Sequence, residues 1–476
     1  MRAELSFLSQ DEIEHIHEAS LHILSTTGVR IYSEKVRSLL AQYGAKVDDT
    51  IVRFPNSVME EALNQTPHEI LLAARESKRD IRIPTSTFPF LATSGFSPFV
   101  TINLDTGERR SATTQDLKHF AILSDYLDTV DYFWPIVIPN DLPPPLQELH
   151  ALAIALENNT KHIQCSCVTE KTAQWQIRLA SVIAGDETKL QERPLFSTIN
   201  CPVAPLTFEK DCSEAMVTLA KAGIPVAPMT MVLASTTAPA TLAGTLALAN
   251  AEELAALIIL QSANPSAPMI YTSEAATANM KTGEIDYHAP EYPLISAGCG
   301  QMARFYKLPS LVADMSSGTV PNDMASFTAC VLRIAMGLMS RTDLSACLGS
   351  RDSALSASLE QVVIDAEACE HASAYLRRFE INDATLALDV IDRVGPGGNF
   401  LSQKHTIEHF RREIWSRELC NTFILDPTVK GSFLEKARAK VKEILATHAA
   451  PPLKEDVHKE MEQILRDAEK DILGNS

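Results

Sequence analysis

Apolar and polar positions first alternate at helical spacing. Ile13, Ile16, Ser20, Ile23 and Leu24 trace one face behind a Ser9 and Glu12 capping-box spelling, and Gly28 stops the run. A second helix is predicted after Ser33, ending at Gly44, and Val47 to Phe54 reads as a hairpin turned at Asp48-Asp49. This helix and hairpin module extends over residues 1–88.

Beyond it, short apolar runs of strand character alternate with helical patterns. The predicted strands are Leu91 to Val100, Asp131 to Ile138, Lys161 to Val168, Leu195 to Cys201, Pro225 to Val232, Pro268 to Ser273, Pro309 to Met315 and Asp343 to Gly349. Each is followed by a helical stretch, clearest at Thr114 to Leu127, Leu146 to Asn158, Pro239 to Ser262, Met324 to Ser340 and Leu359 to Phe379. Eight such units over residues 89–380 fit an α/β fold of the TIM (β/α)8 barrel type better than an open doubly wound sheet. No G-x-G-x-x-G follows a strand, Gly298-Cys299-Gly300 falls inside a helical pattern, and no Walker loop occurs, so nucleotide fingerprints are absent. Residues 381–476 read as a C-terminal helical cap, with Ala450-Pro451-Pro452 breaking the chain before a last amphipathic helix near Val457 to Ile472. That helix is expected to cap the barrel or face a partner.

Composition narrows the partners. The 476 residues carry 42 Lys plus Arg against 60 Asp plus Glu, a net charge of −18, which argues against nucleic acid or an anionic membrane as the main binding surface. Nine cysteines are scattered without a CxxC pair, the usage of a reducing cytosol. The N-terminus lacks the apolar core of a secretion signal, and no apolar run is both long and uncharged enough to cross a bilayer. The expectation is a soluble cytoplasmic protein that forms a homo-oligomer.

A barrel puts its chemistry at the C-terminal ends of its strands. Near those ends lie Phe96, Phe99, Trp134, Cys201 with Pro202, Met231, Tyr271 with Glu274, Asp314 with Ser316, and Arg351. The set is rich in aromatics and poor in acid–base pairs, which suits a cage for an apolar or cationic ligand, although each aromatic taken singly reads as packing. Arg351 either clamps a substrate carboxylate or pairs locally with Asp352 or Glu360. Cys165 and Cys167 share one side of a strand and read as core.

The stretch Val394 to Trp415 concentrates further chemistry. The turn Gly395-Pro396-Gly397-Gly398 lets backbone approach a ligand closely, and a helix behind it carries His405, Glu408 and His409. His405-Thr406-Ile407-Glu408-His409 spells H-x-x-E-H, a zinc hydrolase pattern that still needs a third protein ligand, and none is singled out downstream. The alternative has His405 lining a turn and His409 beside Arg411 and Arg412 on a solvated face.

Four segments together resemble the trimethylamine methyltransferase family of corrinoid-dependent enzymes. They are LSQDEIEHIHEASLHILSTTGVRIYS, DTGERRSATTQDLKHF from Asp105, TTAPATLAGTLALANAEELAALIILQSANPSAPMIY from Thr236, and VGPGGNFLSQKHTIEHFRREIW. The resemblance implies a TIM barrel and methyl transfer from an amine to the cobalt of a corrinoid (cobalamin) held on a separate carrier protein. Where the trimethylamine branch has pyrrolysine, the corresponding region Gly349 to Leu355 holds only ordinary residues, and this resembles the branch acting on glycine betaine and related quaternary amines. A tertiary amine of the trimethylamine type is the alternative substrate. Leu419 to Phe423 also departs from the Asp-Arg pair of the family pattern. On this reading Phe96, Trp134, Tyr271, Glu274 and Arg351 meet the substrate. The segment from Val394 closes over the barrel mouth, with His405 as the catalytic candidate and Gly397, Gly398, Asn399 and Phe400 facing the corrinoid. No metal site is expected.

Overall fold

A computed structural model of the chain describes residues 4–287, 289–312, 324–413 and 430–474. Asp314, Ser316, Trp415 and Leu419 to Phe423 lie outside the described residues, as do the side chains of Arg411 and Arg412.

Eight parallel strands follow one another round a closed sheet: β1 (Phe90–Thr93), β2 (Tyr132–Phe133), β3 (His162–Ser166), β4 (Phe196–Asn200), β5 (Val226–Pro228), β6 (Tyr271–Thr272), β7 (Ser310–Leu311) and β8 (Leu344–Leu348). β8 pairs with β1 at one seam, Leu344 beside Phe90. The β5–β6 seam closes through Ile270 N to Val226 O at 2.9 Å and Glu274 N to Thr230 O at 2.9 Å. Each strand is followed by a helix: α1 (Thr114–Tyr126), α2 (Gln147–Asn158), α3 (Glu170–Ala184), α4 (Lys210–Lys221), α5 (Leu242–Ala263), α6 (Glu291–Phe305), α7 (Met324–Met339) and α8 (Leu359–Leu376). The chain is a (β/α)8 barrel, as the alternation of patterns predicts. The first predicted strand is shorter than expected. It stops at Thr93, before Gly95 and Pro98, and Val100–Ile102 joins an antiparallel rim sheet with Arg109–Ser111.

Two apolar cores follow from the two faces of the barrel sheet. The larger lies between strands and helices. The smaller fills the barrel itself with Ala92, Tyr132, Trp134, Ile199, Met229, Ile270 and Leu344, and the strand pair Ile70–Leu72 and Ile81–Ile83 adds its apolar face to that core. The plug stands at the N-terminal strand ends: Thr85 N donates to Asp343 Oδ1 at 2.9 Å, and Ala73 O accepts from His162 Nδ1 at 2.9 Å. A ligand would enter the barrel from the opposite, C-terminal end.

The predicted first helix forms over Gln10–His22 with both halves of the Ser9 and Glu12 capping box, and Gly28 ends the following turn at φ +75°. Ser20 donates to Ala247 O at 2.9 Å, and strand Val29–Ile31 pairs with Thr207–Phe208 of the loop after β4. The N-terminal residues are thus stitched to the barrel. α5 is long and apolar enough to cross a membrane, contrary to the sequence reading, but 78% of its most apolar window is buried inside the fold. Its Glu252 and Glu253 are fully buried and accept backbone N–H groups from Leu206 and Thr272.

The last two helices wrap the barrel. Phe433–Thr447 pairs Arg438 with Glu360 at the start of α8 and His448 with Asp125 near the end of α1. Glu455–Leu473 runs the other way, from His458 beside Glu157 at the end of α2 to Asp471, which accepts from Lys171 and the Trp175 indole on α3. Its Ile472 reaches the barrel mouth.

Candidate functional site

A cavity of about 760 Å³ opens at the C-terminal strand ends. Phe96 after β1, Ser166 of β3 and Cys167 just past it, and Ile199 of β4 and Cys201 just past it line the cavity, with Glu148 of α2. Strand parity decides which side chains enter the barrel, since successive residues point to opposite faces. Ile270 of the inner core fixes Thr272 and Glu274 as inward positions, and His162, Gln164 and Ser166 share the inward face of β3.

Trp134 continues β2 into the mouth, 4% exposed, with its indole against Gly95. Only a residue without Cβ leaves room there. Glu274, past the end of β6, accepts from the Tyr287 hydroxyl at 3.3 Å. Arg351 follows Gly349, whose φ of +94° turns the chain out of β8 while its N–H donates to Asp365. Both local partners expected for Arg351 are engaged elsewhere: Asp352 pairs with Arg109 at 3.0 Å, and Glu360 with Arg438 at 3.2 Å. Among the described residues Arg351 forms no ion pair, and its Nε is buried without a hydrogen-bond partner.

Sequence reasoning missed two groups. Glu148 accepts the Val168 N–H at 3.0 Å, yet burial outweighs that bond and pushes its carboxyl up to about 7. It is the titratable group of the cavity nearest neutrality. Its Glu-Leu-His setting in a helix gave no signal. Gln164 is fully buried inside the barrel, and among the described residues both its Nε2 and Oε1 lack partners, as does the Trp134 Nε1. A polar residue on the inner face of a central strand was the available clue, obscured by the flanking Cys165 and Cys167. Cys165 faces the strand–helix layer, Cys167 packs on the same core at the cavity wall, and burial pushes both thiols well up.

Two expectations need correction. Tyr271 does not face the mouth: it is an outward position of β6, fully buried under α5, where its hydroxyl donates to Asn250 Oδ1 at 3.1 Å. The segment from Val394 does not close over the mouth either. α8 carries the chain away from the mouth for 18 residues, about 27 Å at 1.5 Å per residue. The following segment stands against the far end of α8, where a separate cavity of about 520 Å³ is lined by Tyr375, Arg377, Phe379, His405, His409 and Glu413. His405 donates to Ala384 O at 3.3 Å, Asn399 accepts from Leu401 N at 2.7 Å, Phe400 is 46% exposed, and nothing lies within 4 Å of a Cβ at Gly397, while Gly398 packs back on Val394.

Nor does the H-x-x-E-H spelling build a zinc site. The His405 and His409 rings stack at 4.2 Å between centroids, and Glu408 pairs with Lys404 at 3.1 Å. Among the described residues no three His, Cys, Asp or Glu side chains are grouped to hold one ion.

Known proteins match the chain along its length. It is 29% identical to a trimethylamine methyltransferase MttB of Desulfitobacterium hafniense (strain DSM 10664 / DCB-2) over 98% of this chain and 94% of that one. It is 28% identical to a glycine betaine methyltransferase of Desulfitobacterium hafniense (strain Y51), covering 98% of each. Among solved structures, the monomethylamine methyltransferase MtmB of Methanosarcina barkeri superposes with a TM-score of 0.50 at 11% identity, over 99% of this chain and 88% of that one, a likeness of fold. The family model described as trimethylamine methyltransferase (MTTB) matches residues 2–472, and the chain belongs to that methyltransferase family.

Proposed function

We propose that this protein removes a methyl group from a quaternary amine, glycine betaine or a related betaine, and delivers it to a corrinoid carried by a separate protein in the cytoplasm. The observation that carries the reading is the mouth itself. Phe96 and Trp134 stand after β1 and β2, and the inward-facing carboxylate position Glu274 stands after β6, all at the same C-terminal end of the barrel, a combination that attracts a cation through ring faces and charge. A relative named glycine betaine methyltransferase matches the whole chain and supports the substrate class.

A quaternary ammonium already holds a neutral amine as leaving group, so its N–CH3 bond breaks with the electron pair returning to nitrogen and no proton transfer. A reduced corrinoid supplies the nucleophile for that displacement. This chain's part is to hold one N-methyl group toward the opening, screened from water by Phe96 and Trp134. The rim suits a flat, largely apolar group docking from outside: Phe99, Val168, Val203, Met280 and Leu355, on loops after five different strands, are 52%, 56%, 50%, 72% and 63% exposed. Exposed apolar side chains between Tyr375 and Phe410 support a homo-oligomer that covers them.

The test is anaerobic incubation of the protein with cob(I)alamin, free or protein-bound, and a panel of glycine betaine, proline betaine, carnitine, trimethylamine and tetramethylammonium. The absorbance change to methylcobalamin is expected with a betaine. Absence of methyl transfer from every amine overturns the proposal.

A further inference from the structure

Among the described residues Gln164 presents a side-chain amide with neither end satisfied in the interior of the barrel. A buried donor and acceptor left bare are costly, and native folds rarely leave them so without a ligand or an ordered water. A second orphan lies beside it. The pairing of β2 with β3 sets Tyr132 beside His162 and Phe133 beside Ile163, so the next step of that register brings Trp134 level with Gln164. The indole N–H of Trp134 is buried without an acceptor. His162, the inward neighbour of Gln164 on β3, donates from Nδ1 to Ala73 O and leaves Nε2 to accept from the Ser197 hydroxyl. Burial holds its imidazole down at about 4, so it is neutral and adds no charge to the interior.

Gln164 stands one inward step below Ser166, which lines the mouth cavity. Its position and that of Trp134 make a polar floor under an apolar opening. Two buried N–H donors on adjacent strands at one level match an acceptor group, and the amide oxygen matches the positive end of the same molecule. We propose that Gln164 and the Trp134 indole N–H bind the carboxylate of a zwitterionic methylammonium substrate and thereby turn its N-methyl groups toward the mouth. Among the described residues neither group has a cationic partner, so the substrate's own ammonium balances the carboxylate, and a zwitterion is preferred over a simple anion. A methyl group that leaves toward an acceptor outside the barrel must face the opening, so the opposite end of the substrate faces the floor. Arg351, beyond the end of β8, would turn the molecule the other way if it took the carboxylate.

This assignment rests on the methyl-transfer reading for its substrate class, and its test uses binding alone. Calorimetry with no corrinoid present compares glycine betaine with tetramethylammonium, which has the cation and lacks the carboxylate. Gln164→Leu, which replaces the amide by an apolar side chain, is expected to weaken glycine betaine at least tenfold and tetramethylammonium by less than twofold. Trp134→Phe, which keeps a ring and loses the N–H, should weaken glycine betaine about tenfold. Gln164→Glu should reverse the preference, favouring tetramethylammonium, and so separates ligand recognition from a fold defect. Unchanged glycine betaine affinity in Gln164→Leu, or equal losses for both ligands, overturns the floor. So does wild-type protein that binds neither. If wild-type protein binds glycine betaine through Gln164 but transfers no methyl group, the floor stands and the methyltransferase reading falls.

Discussion

The indole of Trp134 rests against the Cα of Gly95 so closely that a Cβ added at residue 95 would stand 2.9 Å from Cζ2 and 3.0 Å from Cη2. The ring's position is therefore set by the neighbouring strand end, not by its own loop. Gly95→Ala forces the indole to shift, and overpacking of this kind costs about 1–3 kcal/mol. The variant is expected to melt several degrees lower, to change its tryptophan emission and to bind amine less tightly. Unaltered emission and affinity would show that Gly95 does not position the ring.

Glu148 sets a pH dependence whose sign is fixed by burial. Its carboxyl rises from 4.5 to about 7 in the folded protein, so between those values the folded chain holds a proton that the unfolded chain has released. The stability this group contributes is whole below 4.5 and lost as pH rises through about 7. Glu148→Gln keeps an acceptor for the Val168 N–H and cannot ionise. The melting temperature of the variant minus that of wild type should climb across about pH 5 to 8 and level off above. A difference flat with pH across that window sinks the assignment.

The barrel was legible because strands buried on both faces read as short apolar runs, and each was separated from the next by a helical pattern. The same double burial hid which face each residue takes. Ile270 and Tyr271 are both wholly buried, one inside the barrel and the other under α5, and hydrophobicity alone does not separate them. Glu274 and Trp134 sit at strand ends, where position alone was informative. His405 was misplaced for a different reason. Its local turn and helix were readable, but which end of the barrel they occupy depends on the segment's packing at the C-terminus of α8, a tertiary fact with no local signature.

That segment carries its own prediction. Ten large apolar side chains from Tyr375 to Phe410 are exposed, Ile381 at 75% and Leu401 at 80% among them. So dense a patch on a surface otherwise acidic favours association. In sedimentation velocity the wild-type chain is expected to run as an oligomer, and a Phe379→Ser, Leu388→Ser, Leu401→Ser variant to shift toward monomer. A monomeric wild type at micromolar concentration ends this reading.

Gly349 ties the stability of the barrel to the aim of Arg351. Its φ of +94° is a region that side chains adopt at a cost, and a Cβ there would meet Val362 Cγ2 at 2.5 Å and Ile136 Cδ1 at 2.9 Å. Both contacts are core atoms that have little freedom to move, so Gly349→Ala should cost about 2–4 kcal/mol from backbone strain and overpacking together. The Gly349 N–H also donates to Asp365 Oδ2 at 2.9 Å, and Asp365 accepts from Gln361 at 2.8 Å, so the turn is held at a second point. Asp365→Asn, which weakens that hold without adding a Cβ, should destabilise less. Urea denaturation ranks the two variants, and a Gly349→Ala protein as stable as wild type would mean that the turn after β8 relaxes freely and does not fix where Arg351 stands.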